Sequence, residues 1–520
     1  MRRLWTLVTV VALTIPVAGA WAQLPADEKE DFYEKAPREE IGEFDFIGYF
    51  ITRHENSNQA ATNEFLRGQV VGRLFGGNTT ETSKATSRFT EQRFMPMITY
   101  SPRLFDGWAK MRASLEFDWT FGDGAYGSAA NTGGGFGGDT VNMQTQNIFM
   151  ELRPQKNLFF NIGLQRTYDN VQVPWYTFTD HLLQKGYRLA LFGSDAAGAT
   201  VHWFRKADER LKLGAYQLWE NNVQQQDDVA LFVADYERDL SIRTSVGASV
   251  HYINDRASGE GGPSGLGTGL NSTLADFNGV ARFEFGNNPH KSDVVWLGTH
   301  FHHDPLLRQG NFGLSGFAWW NGGSVRTDFT DVSINGVAAN LRLAARYGSA
   351  PRDQIVLDTV FTSGDDDSYA DGTYNGVLTG NNWTTPGAVF IGHPLYLLLP
   401  HGTVVNRFTA AAIDIQNIGY GLQVGALGVT KELVKNKWRV KAAVGHGRAS
   451  AEPLGGGATM GTEINASLTW TMRVFLEAEL HAAYLSLGDF YDSPEVNGGI
   501  TDGRPDDPWT VFASLKWIMF

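Results

Sequence analysis

The 520-residue sequence contains no cysteine. That absence removes disulfides, thiolate metal sites and cysteine nucleophiles in one step, and it leaves the cellular compartment open. Beyond the N-terminus there is no run of about 18 apolar residues, so the mature chain has no helical membrane span. The net charge of -13 argues against a general nucleic-acid binder. Mean hydropathy is -0.24, low for a helical membrane protein. Strands that expose only alternate residues to lipid would keep the average that modest.

The N-terminus carries the clearest local signal. Met1-Arg2-Arg3 is basic, Leu4 to Ala18 is mostly apolar, and Ala20-Trp21-Ala22 has the small-x-small form of a cleavage site. Residues 1–22 therefore read as a secretory signal peptide; a transmembrane anchor is the alternative, but the apolar run is short for one. Residues 23–42 form an acidic segment, expected in the periplasm, where Asp31 and Lys35 stand at i,i+4 on a short helix or mobile tail. Residues 43–520 are expected to be one β-barrel.

Alternation carries that expectation. In the last strand Trp509, Val511, Ala513, Leu515, Trp517 and Met519 share one parity and Thr510, Ser514 and Lys516 the other, with Phe512 and Ile518 as exceptions. Phe520 falls one residue out of phase, which calls for a bulge or a frayed end. An edge strand of a large sandwich would also fit this segment alone. The pattern recurs, however, from Trp108 to Trp119, where Lys110, Arg112, Ser114, Glu116 and Asp118 oppose an apolar face. It recurs near 242–252, 275–285, 337–347, 437–444, 463–473 and 474–484. Less regular candidates lie at 44–53, 65–75, 89–100, 147–152, 158–168, 198–206, 211–219, 229–237, 293–302, 311–320, 354–362, 404–416 and 419–430. A tilted membrane strand needs about 9–11 residues, whereas strands of soluble sheets peak at about 5–6. Aromatics such as Trp108, Trp119, Tyr252, Tyr347, Trp438, Trp470, Tyr484, Trp509 and Trp517 fall near segment ends, as interfacial girdles do. The expected fold is all-β: a transmembrane antiparallel barrel of about 18 strands, within a range of 16–20. Lys435-Asn436 and Asn417-Ile418 read as tight turns. Gly122–Asp139, Arg256–Ser272, Ser363–Thr403 and Gly488–Asp507 read as long extracellular loops, and Val171–Gly186 as a loop helix over or in the pore.

The polar parity of such a barrel faces water. Over the regular strands it holds Lys110, Arg112, Arg243, Arg282, Arg342, Arg346, Lys437, Arg439, Lys441, Arg473 and Lys516. Against these stand Glu116, Asp118, Asp276, Glu284, Glu463, Glu477 and Glu479. An excess of cations in a wetted lumen favours passing anions, and Arg342/Arg346 and Lys437/Arg439/Lys441 are its strongest candidates. The competing reading is that these cations pair with neighbouring carboxylates and stiffen the wall.

Three stretches resemble the outer-membrane porins of the alginate-export type. They are Glu91-Gln92-Arg93 with Pro96 and Tyr100, then Gly163-Leu164-Gln165-Arg166, and Ser363-Gly364-Asp365-Asp366-Asp367 with Asp371-Gly372. The second has its last two residues in the order opposite to the Gly-Arg-Gln of that family. The resemblance implies an 18-stranded channel with an electropositive conduit, in the outer membrane of a Gram-negative bacterium. The final strand resembles the C-terminal signal read by the barrel-assembly machinery. Expected partners are thus that machinery, outer-membrane lipid and lipopolysaccharide, and a small anionic solute or polysaccharide.

Other constellations compete for chemistry. Asp365, Asp367 and Asp371 with Asp366 could cradle Ca²⁺, though not at the spacing of an EF-hand; no other cofactor is expected. His300 and His302 share a strand face, with His303 and Asp304 adjacent, as transition-metal ligands would. His251 near Ser249, and His481 near Glu479, could be fragments of a hydrolase site; neither forms a motif, and the chain is expected not to be an enzyme. A structural or adhesive barrel with an occluded pore is the third reading.

Overall fold

The computed structural model describes residues 43–61, 70–75, 80–121, 142–168, 192–220, 223, 225, 228–258, 288–367, 369–378, 394–399, 407–412, 415–499 and 503–519. Residues 1–22, read as a signal peptide, and the acidic segment 23–42 lie outside these residues, as do Val171–Gly186 and the stretch 275–285 with Arg282.

Eighteen antiparallel strands form the wall. They are β1 (Phe44–Ala61), β2 (Thr80–Tyr100), β3 (Ala109–Thr120), β4 (Asn142–Gln155), β5 (Leu158–Tyr168) and β6 (Phe192–Lys206). Next come β7 (Glu209–Trp219), β8 (Val229–Ser241), β9 (Thr244–Asp255), β10 (His290–His303), β11 (Phe312–Thr327) and β12 (Asp331–Arg346). The last are β13 (Gln354–Thr362), β14 (Leu422–Val434), β15 (Trp438–Arg448), β16 (Thr459–Arg473), β17 (Leu476–Leu487) and β18 (Trp509–Met519). Each strand pairs with its sequence neighbours, and β1 pairs with both β2 and β18. The ring is closed from Gly48↔Met519 to Ser57↔Thr510. Closure leaves no lipid-facing edge, where each unpaired backbone group would cost several kcal/mol.

The expectation of 18 strands holds, but two candidate segments have their described strands outside the wall. The wall passes from β9 directly to β10, and 275–285 lies outside the described residues. Within 65–75 and 404–416, Val70–Arg73 and Arg407–Ala410 pair with each other in parallel as a separate ribbon. A short apolar run reads the same whether its strand joins a wall or a separate ribbon.

Side-chain parity sorts the wall as lipid requires. On β3, Met111 is exposed outward while Lys110, Arg112, Ser114, Glu116 and Asp118 are buried inward. On β17 and β18, Leu480, Tyr484, Val511 and Trp517 face out, and His481, Thr510 and Ser514 face in. Two aromatic belts stand at the strand ends. One holds Trp108, Tyr347, Trp438, Trp470 and Trp517, with Trp438 and Trp470 stacked at 5.5 Å. The other holds Trp119, Tyr252, Tyr484 and Trp509. Both exceptions in the final strand are inner-face residues. Phe512 stacks on His481 at 4.3 Å, and Ile518 packs on the buried patch of Ile47, Tyr49, Ile51, Met95 and Met97. The alternation therefore runs unbroken to Met519, where β18 ends; Phe520 lies outside the described residues. Ile253 likewise points inward and β9 continues to Asp255, beyond the 242–252 read from the sequence.

The two barrel ends differ. At one end the strands are joined by short connections such as 156–157, 207–208, 242–243, 435–437 and 474–475; Asn436 turns there at φ 56, a conformation asparagine tolerates. The strand ends that flank the four segments read as long loops all lie at the other end. The connection 363–421 enters the lumen. β13 is 9 residues long and leaves the upper edge of β12 open, and Thr373–Tyr374 fills it by pairing with Ser333–Ile334. Leu378 then meets the adjoining strands β10 and β11, accepting from the Trp296 indole at 2.7 Å and donating to Asn321 at 2.9 Å. Pro394–Leu399 docks on β15 to β17. Asn417-Ile418 forms a 3-10 turn at the end of this crossing, not a hairpin between wall strands.

Candidate functional site

Two halves of the inner wall carry charge in different ways. On the β1–β9 side the ions are tightly paired across neighbouring strands. Arg53 reaches Glu91 at 2.8 Å, and Arg93 bridges Glu116 and Asp118, each at 2.7 Å. Arg112 donates to Glu151 at 2.8 Å and to the Thr99 hydroxyl at 2.7 Å. Arg210 holds Glu237 and Asp239, and Lys212 holds Asp235. Such pairs stiffen the wall and cancel much of each other's field.

The β12–β18 side, toward the short-turn end, is different. It lines a cavity of about 1480 Å³. Arg342 and Arg346 enter from β12, and Arg352 from the turn that follows. Arg439 and Lys441 project from β15, and Lys437 stands in the turn before it. Arg473, Lys516 and Arg308 complete the set, against Glu477 as the one carboxylate of the lining. Glu477 lies 3.9 Å from both Arg352 and Arg439. Glu479, just behind, is 3.4 Å from Lys516 and 3.6 Å from Arg439. Asp358 stands opposite Arg342 in the strand register. Glu432 and Glu463 bear on Arg352 and Lys441 from outside the lining, which itself holds nine cations and one carboxylate. In the turn, burial and then the neighbouring Arg439 cation lower the Arg352 guanidinium's hold on its proton.

Of the cations picked from sequence, Arg342, Arg346, Lys437, Arg439, Lys441, Arg473 and Lys516 meet in this cavity. Four do not. Lys110 and Arg112 face inward but lie buried on β3, where Arg112 is committed to Glu151. Arg243 is exposed in the turn between β8 and β9, because β9 begins at Thr244. Arg282 is outside the described residues. Sequence reasoning missed Arg308 and Arg352, which sit in short-end connections outside any alternating segment. Each follows a proline or lies within three residues of one, and that restricts the turn that aims it.

Pro394, the first residue of the docked stretch Pro394–Leu399, lines the cavity. The Glu463 carboxylate, on β16, accepts from the backbone amides of Tyr396, Leu397 and Leu398 at 2.8, 2.9 and 2.7 Å. Asn465 donates to the Pro394 carbonyl at 3.0 Å. Leu395 and Leu398 lie directly over Gly445 and Gly447, where any Cβ would sit within 3 Å of them. Glycine at these two positions makes the depressions the loop needs.

The other constellations are engaged structurally. Asp365 accepts from the Asn375 backbone and side chain and from the Asp367 amide, and Asp371 accepts from Thr373. The acidic stretch thus folds its own turn, although the oxygens of Asp365, Asp366 and Asp367 lie within 4.8 Å of one another. The hydrogen bond to Asp365, then burial and the surrounding carboxylates, raises the Asp367 carboxyl. His300 meets Glu237 at 3.2 Å, while Asp304 caps the amides of Arg308, Gln309 and Gly310. His251 pairs with Asp235 at 3.1 Å. His481 bridges the Tyr396 hydroxyl at 3.0 Å and Glu479 at 3.3 Å.

No protein-family model matches the chain, and no curated protein sequence matches it. Solved structures do resemble it. Pseudomonas aeruginosa OpdQ is 9% identical, with 92% of this chain and 97% of that chain covered and a TM-score of 0.45. Acinetobacter baumannii OccAB4 is 8% identical, covering 91% and 98% at a TM-score of 0.46. The outer membrane protein OpdK of Pseudomonas aeruginosa is 11% identical, covering 91% and 98% at 0.46. At TM-scores below 0.5 the architecture rests on the chain's own strand pairing.

Proposed function

We propose that the protein is an outer-membrane channel of a Gram-negative bacterium through which small hydrophilic solutes diffuse, with a preference for anions. The observation that carries this reading is the cavity inside a closed, lipid-faced barrel, lined by nine cations and one carboxylate. Cations behind low-dielectric walls raise the local concentration of anions and exclude cations. Selectivity needs no chemical step, only a wetted path along the β12–β18 side. The signal-peptide pattern at residues 1–22 supports export, and the terminal strand supports insertion by the barrel-assembly machinery. Export of an acidic polysaccharide is the narrower form of the proposal. It is supported by the likeness of Glu91–Arg93, Gly163–Arg166 and Ser363–Asp367 to the alginate-export type; these stretches lie on β2, on β5 and just after β13.

The test is a reversal potential in a salt gradient across a planar bilayer. The wild-type channel should be anion-selective. The combined Lys437→Gln, Arg439→Gln, Lys441→Gln variant should lose most of that preference while keeping its conductance within about twofold, since lining charges set selectivity and the wall sets the bore. An unchanged reversal potential would remove the assignment. A barrel that never conducts would favour the occluded structural or adhesive reading.

A further inference from the structure

We propose that the short-turn cavity is a dwell site for compact anions carrying two or more charges, not merely a zone that anions cross. The inference deepens the channel reading and rests on it. Its first ground is the charge balance. A field meant only to bias passage is met by a few cations, whereas here nine line the cavity with one carboxylate. Like charges held together repel, and the repulsion falls in proportion to the charge a guest brings. A monovalent anion offsets one cation; a diphosphate or a tricarboxylate offsets several. The cost in lost translational freedom is similar for each.

The second ground is the chemistry of the donors. Arg342, Arg346, Arg352 and Arg439 each present a planar fork that matches the oxygens of carboxylate and phosphate groups. Arg346 holds the Leu307 carbonyl with one terminal nitrogen, which fixes its guanidinium, and its Nε is buried without a hydrogen-bond partner. The third ground is position. Pro394 of the docked loop lines the cavity, and the chain's own carboxylate latch, Glu463, spends its oxygens on that loop. The site therefore opens to the short-turn mouth, and a guest should reach it more readily from that side.

Single-channel recording with pyrophosphate and acetate tests this. Pyrophosphate on one face of the bilayer should interrupt the chloride current at a concentration at least about tenfold below that of acetate, and more weakly from the other face. Arg439→Gln with Lys441→Gln should weaken the block about tenfold. Should that pair fold poorly, Lys437→Gln with Arg473→Gln, both at the exposed rim, should weaken it about threefold. Equal potency of pyrophosphate and acetate, or equal block from both faces, overturns the dwell site. Reversal potentials from the same channels keep the two proposals apart. Anion preference without pyrophosphate block sinks the dwell site alone. Block without anion preference supports the site and sinks the selectivity.

Discussion

Glu463→Ala is expected to widen the channel, seen as a higher single-channel conductance with more open-state noise. The wild-type carboxylate gathers three consecutive amides of Tyr396, Leu397 and Leu398 at 2.7–2.9 Å, and also accepts from the Asn465 side chain at 2.7 Å. Hydrogen bonds to a charged acceptor contribute about 1.5–3 kcal/mol each. Alanine leaves three buried donors with no acceptor at that position, at a cost of about 1–3 kcal/mol per group unless the loop moves into water. What remains is the Asn465 contact to Pro394, the bonds from Ala411 and Ala412 to the Leu397 and Leu398 carbonyls, and two leucines resting on glycines. The wall itself should survive, because its strand pairing does not pass through this side chain. Glu463→Gln keeps one oxygen acceptor and should have a smaller effect in the same direction. Gly445→Val should mimic Glu463→Ala by pushing Leu395 off the wall. If Glu463→Ala conducts like wild type, the leucine contacts and not the carboxylate hold the loop.

Glu463 also shows where the sequence was legible. Its inward direction was readable, because Ile464, Ala466 and Leu468 fix the parity of β16. Its partner was not, because nothing in a periodicity marks a loop residue some 65 positions away in the chain as the occupant of a lumen. The same division holds throughout. Strand number, closure by the final strand, the long and short ends and the outward face follow from a period of two and from girdle aromatics. Which cations act together does not. Arg112 and Arg342 look alike in sequence, each inward on an alternating strand. Only cross-strand register reveals that Arg112 lies across from carboxylate-bearing β4 and is held by Glu151, whereas Arg342 shares its cavity with eight other cations. The inward charge is paired on one half of the wall and gathered around a cavity on the other. The two stray segments mark a second limit: Val70–Arg73 and Arg407–Ala410 do form strands, and local pattern does not tell a ribbon from a wall.

Leu480→Arg is expected to destabilise the folded barrel by about 2–4 kcal/mol, as a cation does at the bilayer midplane. Leu480 is 52% exposed on β17. Its register partners are Leu468 and Ala513. Trp470 and Trp517 mark the belt on one side of that level, and Tyr484 and Trp509 the belt on the other. A guanidinium there has no wall carboxylate beside it and must reach a belt or draw water into the lipid. Reversible urea unfolding from lipid vesicles should show the loss as a lower midpoint. Glu477→Gln, on the inner face of the same strand, is the matched control. It removes the lone carboxylate of the cavity lining, so it should leave stability within about 1 kcal/mol and raise anion preference. A soluble barrel would invert the first result, since arginine on a water-facing strand costs little. Equal midpoints for Leu480→Arg and wild type would place the outer face in water, and the charged interior would then no longer be a route across a membrane.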